Sequence, residues 1–185
     1  MELAELARAG IPPPAEMPFA VAWTDHAGEP EFVDMFLEHH RGARAAWDPD
    51  EWVLQLGTWA EGALGGSQAL RGQREDGELI VDSGSWLGQA FQRRGYGTEM
   101  RAAVLELAFR GLGAVAATSG SLEGNVASAR VSAKLGYEPD GEATLAPRGV
   151  PVRERRYRLP YERWRSPVPV EIENLEPCLQ LFGVT

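Results

Sequence analysis

Between Gly84 and Gly97 the chain reads GSWLGQAFQRRGYG, and these residue types suit one task, the holding of an anion. Leu79, Ile80 and Val81, followed by Trp86 and Leu87, predict a strand that ends in glycine and turns directly into a helix. The first N–H groups of a helix have no partner within it, and the macrodipole adds partial positive charge there. A phosphate or pyrophosphate is the natural acceptor for such donors. Gly95 and Gly97 would let it approach the main chain with no Cβ in the way, and Arg93 and Arg94 add charge beside it. The dinucleotide fingerprint is excluded because its third glycine would fall on Met100. The Walker pattern is excluded because no Gly-Lys-Ser/Thr occurs.

A second segment, Asn125 to Tyr137, reads NVASARVSAKLGY. The two segments together resemble the GNAT superfamily of acyl-CoA-dependent N-acetyltransferases, in its RimJ/RimL-like branch. The family element Q/R-x-x-G-x-G/A matches Gln92-Arg93-Arg94-Gly95-Tyr96-Gly97. The element N-x-x-S followed by L-G-F/Y matches Asn125, Ser128 and Leu135-Gly136-Tyr137. The resemblance is clear from Leu79 to Pro160 and extends more weakly back to Phe19.

This resemblance implies acetyl-CoA as co-substrate, its pyrophosphate lying along Gln92, Arg93, Arg94, Gly95, Tyr96, Gly97 and Thr98. It implies a pantetheine arm bonded like an extra strand to the main chain of Trp86 and Leu87, with the Leu87 N–H nearest the thioester carbonyl. Asn125 would hydrogen-bond the same arm, and Ser128 would protonate the departing thiolate. Each residue also has a plainer reading: Trp86 and Leu87 as core, Asn125 as a helix N-cap, Ser128 as a small solvated or back-bonded residue. Many family members carry a tyrosine acid seven residues after the asparagine. Ser132 stands there in this chain, so no tyrosine acid is carried over, and Tyr137 reads as packing.

Acyl transfer to nitrogen needs a neutral amine close to the thioester, donors for the developing oxyanion and a proton for the thiolate. Candidates for the base are Glu38, His39, His40, Glu51 and Asp82. No cysteine or histidine cluster has metal-ligand spacing. The expected reaction is transfer of acetyl from acetyl-CoA to a primary amine, a protein N-terminus or a small molecule, in a ternary complex. The alternatives are another donor such as succinyl-CoA, or a CoA-binding or structural protein that keeps the fold without turnover.

The elements that must position these residues follow in order. Leu3, Leu6 and Ala7 predict a short helix over residues 2–9, stopped by Gly10 and Pro12-Pro13-Pro14. The loop through Met17, Phe19 and Trp23 reads as an apolar flap and, by resemblance, a wall of the acceptor site. Glu31 to Trp47 is a second helix. Trp52 to Ala60 and Ala63 to Leu70 form a hairpin, Arg71 to Gly77 a polar loop, and Glu78 to Leu87 a third strand. After Gly97 comes a helix with Met100, Val104 and Leu107 on its core side. Ala114 to Ser119 is a strand, Asn125 to Leu135 a helix, and Glu142 to Ala146 with Val152 to Leu159 a closing hairpin. The fold class is α/β, a mixed sheet with helices on both faces, in one domain over residues 1–165 with a docked tail over 166–185.

The family normally begins with a strand, and this chain begins at the helix. An uncovered sheet edge is therefore expected to be hidden by another segment or by a second copy in a homodimer. A net charge of −9 argues against nucleic acid as a partner. No apolar run approaches the ~20 residues of a membrane span. The acidic N-terminus reads as neither signal nor transit peptide, and the lone Cys178 suits a reducing cytoplasm.

Overall fold

The computed structural model describes residues 1–11 and 16–184. Pro12, Pro13 and Pro14, expected to stop the first helix, lie outside the described residues. Two helices open the chain, α1 (Glu2–Arg8) and α2 (Phe32–Ala45), with a 3-10 turn at Trp23–His26 between them. Then come β1 (Glu51–Ala60), β2 (Ala63–Glu75), β3 (Glu78–Leu87), α3 (Tyr96–Glu106), β4 (Ala116–Leu122), α4 (Val126–Lys134), β5 (Glu138–Leu145) and β6 (Val152–Pro160). The six strands form one sheet in the order β1-β2-β3-β4-β6-β5.

Two tight hairpins set the register of its first half. Glu61 and Gly62 have φ of 53° and 78°, and Asp76 and Gly77 have 52° and 86°, the positive values that a two-residue turn requires. The stretch expected as a polar loop from Arg71 is therefore mostly strand, because β2 stays paired with β3 as far as Glu75–Glu78. It reads as a loop because its outward residues are charged or polar, while its inward Gly72 lies against the Trp52 ring. β5 likewise starts earlier than expected, at Glu138, with a bulge before Glu142 where Gly141 takes φ of 102°.

The core lies between the sheet and α3. Trp52, Leu70, Leu79, Val81, Ala117 and Leu159 face Ala102, Leu105 and Ala108 of α3. On the other face α1 and α2 cover the β1–β3 side, where Ala7, Ile11 and Phe32 join Phe19, Trp23, Phe36 and Trp86 in a second cluster.

The tail returns along the α3 face. Val168, Pro169 and Val170 form one wall of a groove of about 390 Å³ against β1 and α3. Further on, Phe182 meets Trp52 edge-on at 4.9 Å between ring centroids, and Trp47 donates to the Leu181 carbonyl at 2.7 Å. Arg74 Nη2 donates to the carbonyls of Phe182 and Gly183, each at 3.0 Å. Among the described residues the outer edge of β1 pairs with no other strand, so the tail covers a face and not that edge. Phe182→Ala is expected to destabilise the fold by about 3 kcal/mol, as for other large-to-small changes at buried aromatics. Urea denaturation measures this, and an unchanged midpoint would show that the tail merely rests on the body.

Candidate active site

Strands β3 and β4 run parallel and pair at only three positions, Ile80–Ala116, Val81–Ala117 and Asp82–Thr118. Beyond Asp82 and Thr118 they part. β3 continues on β2 alone as far as Leu87–Gly66, and β4 continues on β6 as far as Leu122–Glu154. The result is a fork, open toward the loop that follows β3.

The main-chain groups that face the fork follow from strand alternation. The Leu79 carbonyl accepts from Val115 N and the Val81 carbonyl accepts from Thr118 Oγ1, so odd-numbered residues point toward β4. Ser83, Ser85 and Leu87 therefore present their main-chain groups to the gap. The Trp86 carbonyl is turned to β2, against Gly66, and Trp86 offers its ring instead.

At the mouth of the fork the loop unwinds through a 3-10 turn at Gln89–Phe91 and enters α3 through two left-handed residues, Arg93 (φ 59°) and Gly95 (φ 95°). Gln92 staples this loop, its Nε2 donating to the carbonyls of Leu87 at 2.8 Å and Ile11 at 2.7 Å. Helix α3 has Gly95 as N-cap and so no side chain to close its end. Among the described residues the N–H groups of Arg93, Arg94, Gly95, Tyr96 and Gly97 have no acceptor. That run of donors at a helix N-terminus has the geometry of a cradle that could receive an anion. The two arginines divide. Arg93 is exposed and makes no ion pair among the described residues, whereas Arg94 is held by Glu61 at 2.5 Å, together with the Tyr96 hydroxyl at 2.8 Å on the same carboxylate oxygen. Thr98 N closes on the Gly95 carbonyl at 2.9 Å.

Helix α4 is capped where α3 is not. Asn125 Oδ1 accepts from Ser128 N at 3.1 Å, and Asn125 Nδ2 donates to the Pro18 carbonyl at 3.2 Å, tying the entry flap to the helix. Ser128 is half-buried and its hydroxyl makes no hydrogen bond among the described residues. Ser132 is fully buried and bonded to Arg101, a residue that helical periodicity had not marked as interior.

Opposite the helices, a row of cross-strand neighbours lies on the open face at the floor of the fork: Arg71, Asp82, Thr118 and Arg158. Asp82 Oδ2 accepts from Thr118 Oγ1 at 3.4 Å. Burial raises the Asp82 pKa, against the opposing pull of Arg71 and Arg101. Above Asp82 on the same face come Gly84, with nothing near its Cβ position, and then Trp86. Trp86 lies 6.0 Å from Trp23 and 6.4 Å from Phe36, ring to ring. Of the other proposed bases, His40 packs on Phe36 at 4.6 Å and burial lowers its pKa. Glu38 is exposed and pairs with Arg41 at 3.7 Å, His39 is exposed, and Glu51 lies at the exposed start of β1.

A family model described as an acetyltransferase (GNAT) domain matches residues 13–138. Among solved structures, the ribosomal L7/L12 alpha-N-protein acetyltransferase RimL in complex with coenzyme A is 15% identical with a TM-score of 0.65, over 85% of this chain and 86% of that one. The microcin C7 self-immunity acetyltransferase MccE, in complex with acetyl-CoA and AMP, is 14% identical with a TM-score of 0.63, over 86% and 85%. The acetyltransferase yncA from Salmonella typhimurium, with acetyl-CoA, is 19% identical with a TM-score of 0.58, over 80% and 83%. At these identities the neighbours share the fold.

Gly97 offers a clean test of the cradle. A Cβ there would sit 3.9 Å from both Leu87 and Val131, so Gly97→Val disturbs little of the protein, whereas Gly95→Val would be strained by its positive φ. Gly97→Val should keep its melting temperature and lose about tenfold or more in affinity for CoA, the scale of one charge-assisted hydrogen bond. Calorimetric titration decides, and unchanged affinity would remove the phosphate from this loop.

Proposed function

The chain belongs to the GNAT acetyltransferase family and is an acetyl-CoA-dependent N-acetyltransferase; from that premise we propose how its own residues divide the reaction. The observation that carries the reading is the parting of β3 from β4 directly below five unpaired N–H groups. A donor whose pyrophosphate sits on the cradle at Arg93–Gly97 enters the fork at Leu87 with its pantetheine arm and thioester, and its acyl group points down the fork past Ser85 toward Ser83. The Leu87 N–H is the candidate donor to the thioester carbonyl. Ser128, whose hydroxyl has no partner among the described residues, is the candidate proton source for the thiolate.

Asp82 is the base that the geometry favours. It is at the fork floor on the face that carries Trp86, Trp23 and Phe36, and its raised pKa makes it a stronger base than an ordinary carboxylate. The amine acceptor enters over this aromatic face. It is a primary amine, on a protein N-terminus or a small molecule, and the fold likeness to RimL makes peptide N-termini the first class to try. The free thiol Cys178 fits a reducing, cytoplasmic setting, and the bare edge of β1 is where a second copy would pair.

Release of free CoA from acetyl-CoA, followed over a panel of peptide N-termini and small amines, tests the activity and finds the acceptor. No release with any amine would reject turnover. Ser128→Ala should lower kcat by roughly 10²-fold with donor KM unchanged, the signature of an interaction made in the transition state. Full retention of kcat would make the serine structural. For Asp82 the sign is fixed by its role as a base. Activity is present while the carboxylate is ionised and is lost as pH falls through its raised pKa, so the acid limb of kcat/KM lies above the usual carboxylate range. Asp82→Asn should abolish that limb along with roughly 10²–10⁴-fold of the rate. A wild-type limb that persists in the variant would move the base elsewhere.

A further inference from the structure

Beneath the fork, on the helix face, lies a buried cation with no anion to meet it. Arg101 of α3 is 4% exposed. Its Nη1 donates to Ser132 Oγ at 3.0 Å and to Ser119 Oγ at 3.3 Å, and its buried Nε has no acceptor. Among the described residues no carboxylate forms an ion pair with it. Asp82 acts on it only through space, and strand alternation puts the Asp82 side chain on the opposite face of the sheet from Ser83.

Two more orphans lie nearby, Tyr137 within electrostatic reach of the guanidinium and Ser83 beside Tyr137. The hydroxyls of Ser83 and Tyr137 are buried and neither closes a normal hydrogen bond. Burial drives the Tyr137 pKa up to about 12, so this hydroxyl keeps its proton and remains a donor. Ser83 and Ser119 are the first residues beyond the last β3–β4 pair, which puts the whole cluster at the point where the strands part. Desolvating a guanidinium without a counter-ion is costly, and hydroxyls alone compensate only partly. A planar cation ringed by hydroxyl donors is the chemistry that receives a carboxylate.

The pantetheine arm of coenzyme A is uncharged, so an anion can reach this floor only on the acyl group itself. We propose that Arg101, with Ser83 and Tyr137, receives a carboxylate at the far end of the acyl chain, so that the fork takes short dicarboxylic acyl groups such as succinyl in addition to acetyl. This rests on the reading that the donor lies between β3 and β4. The transfer is otherwise the same: the amine nitrogen bonds to the acyl carbon, the carbon–sulfur bond breaks, the amine proton leaves to Asp82 and the thiolate takes a proton from Ser128, which regains one from solvent as Asp82 releases its own. The distal carboxylate is a spectator held by Arg101.

Calorimetric titration of the full chain with CoA, acetyl-CoA and succinyl-CoA tests this without knowledge of the acceptor. Succinyl-CoA should bind about ten- to a hundredfold more tightly than acetyl-CoA, the range of a charge-assisted hydrogen bond. In Arg101→Met that preference should vanish while acetyl-CoA affinity stays within about threefold. Equal affinity of the unaltered chain for the two esters overturns the proposal, whether or not the variant folds. So does an Arg101→Met protein that weakens both esters alike, since Arg101 would then be scaffold. Failure of all three ligands to bind the unaltered chain would be a different result, bringing down the fork as the donor site and the carboxylate proposal with it.

Discussion

Three residue pairs hold β3 to β4, and everything chemical in the molecule is arranged around the place where that pairing stops. An open strand edge inside a sheet leaves main-chain donors and acceptors unsatisfied, which is tolerable only if each strand is secured from its other side. Here β3 pairs with β2 at ten positions and β4 with β6 at seven, so both prongs are fixed by antiparallel ladders that do not depend on the gap. The gap can stay open because the sheet does not need it closed. Helices α3 and α4 then lie along one face, and the aromatic cluster of Trp23, Phe36 and Trp86 flanks the other.

The two helix N-termini near the fork show how local sequence decides what is left for a ligand. Asn125 satisfies the start of α4 with its own side chain, the usual fate of such an end. Gly95 cannot do so for α3, and its positive φ together with that of Arg93 turns successive N–H groups in one direction. Charge contributes less than the pair of arginines suggests. Arg94 is occupied by Glu61 on the exposed β1–β2 turn, a contact of small energetic weight, and of the two arginines Arg93 alone is without an ion pair among the described residues. Main-chain donors are therefore the greater part of this cradle, which is how a chain of net charge −9 can hold an anion there.

Much of this was legible in the residues, and what was not has definite causes. The strand–glycine–helix passage at Gly84–Gly97, the hairpin at Glu61-Gly62 and the capping position of Asn125 are local patterns, and the structure forms each of them. The second half of β2 was hidden because Arg71, Gln73 and Glu75 face outward and Gly72 carries no side chain to signal burial under Trp52. The fork is a property of register between residues 36 apart in the chain, such as Val81 and Ala117, and no periodicity encodes where such pairing ends. Arg101 was missed for a related reason. A charge on an amphipathic helix is assigned to solvent by pattern, and only the packing of β4 and α4, which bring Ser119 and Ser132 to it, makes the position interior.

Strand alternation gives the fork its division of labour. Asp82 and Ser83 are consecutive, so their side chains leave β3 on opposite faces, just where the gap begins. On one side the Asp82 carboxyl, backed by Thr118, shares a face with Trp86 and the aromatic flap. On the other the Ser83 hydroxyl meets Tyr137 and the neighbourhood of Arg101. A thioester lying in the plane of the sheet would thus be offered a proton acceptor from one face and hydroxyl and guanidinium donors from the other. The separation also keeps the half-buried Asp82 carboxyl apart from the buried guanidinium. Were Asp82 and Arg101 on the same face they would neutralise each other as an ion pair, and neither a raised carboxyl pKa nor an unpaired guanidinium would remain for chemistry.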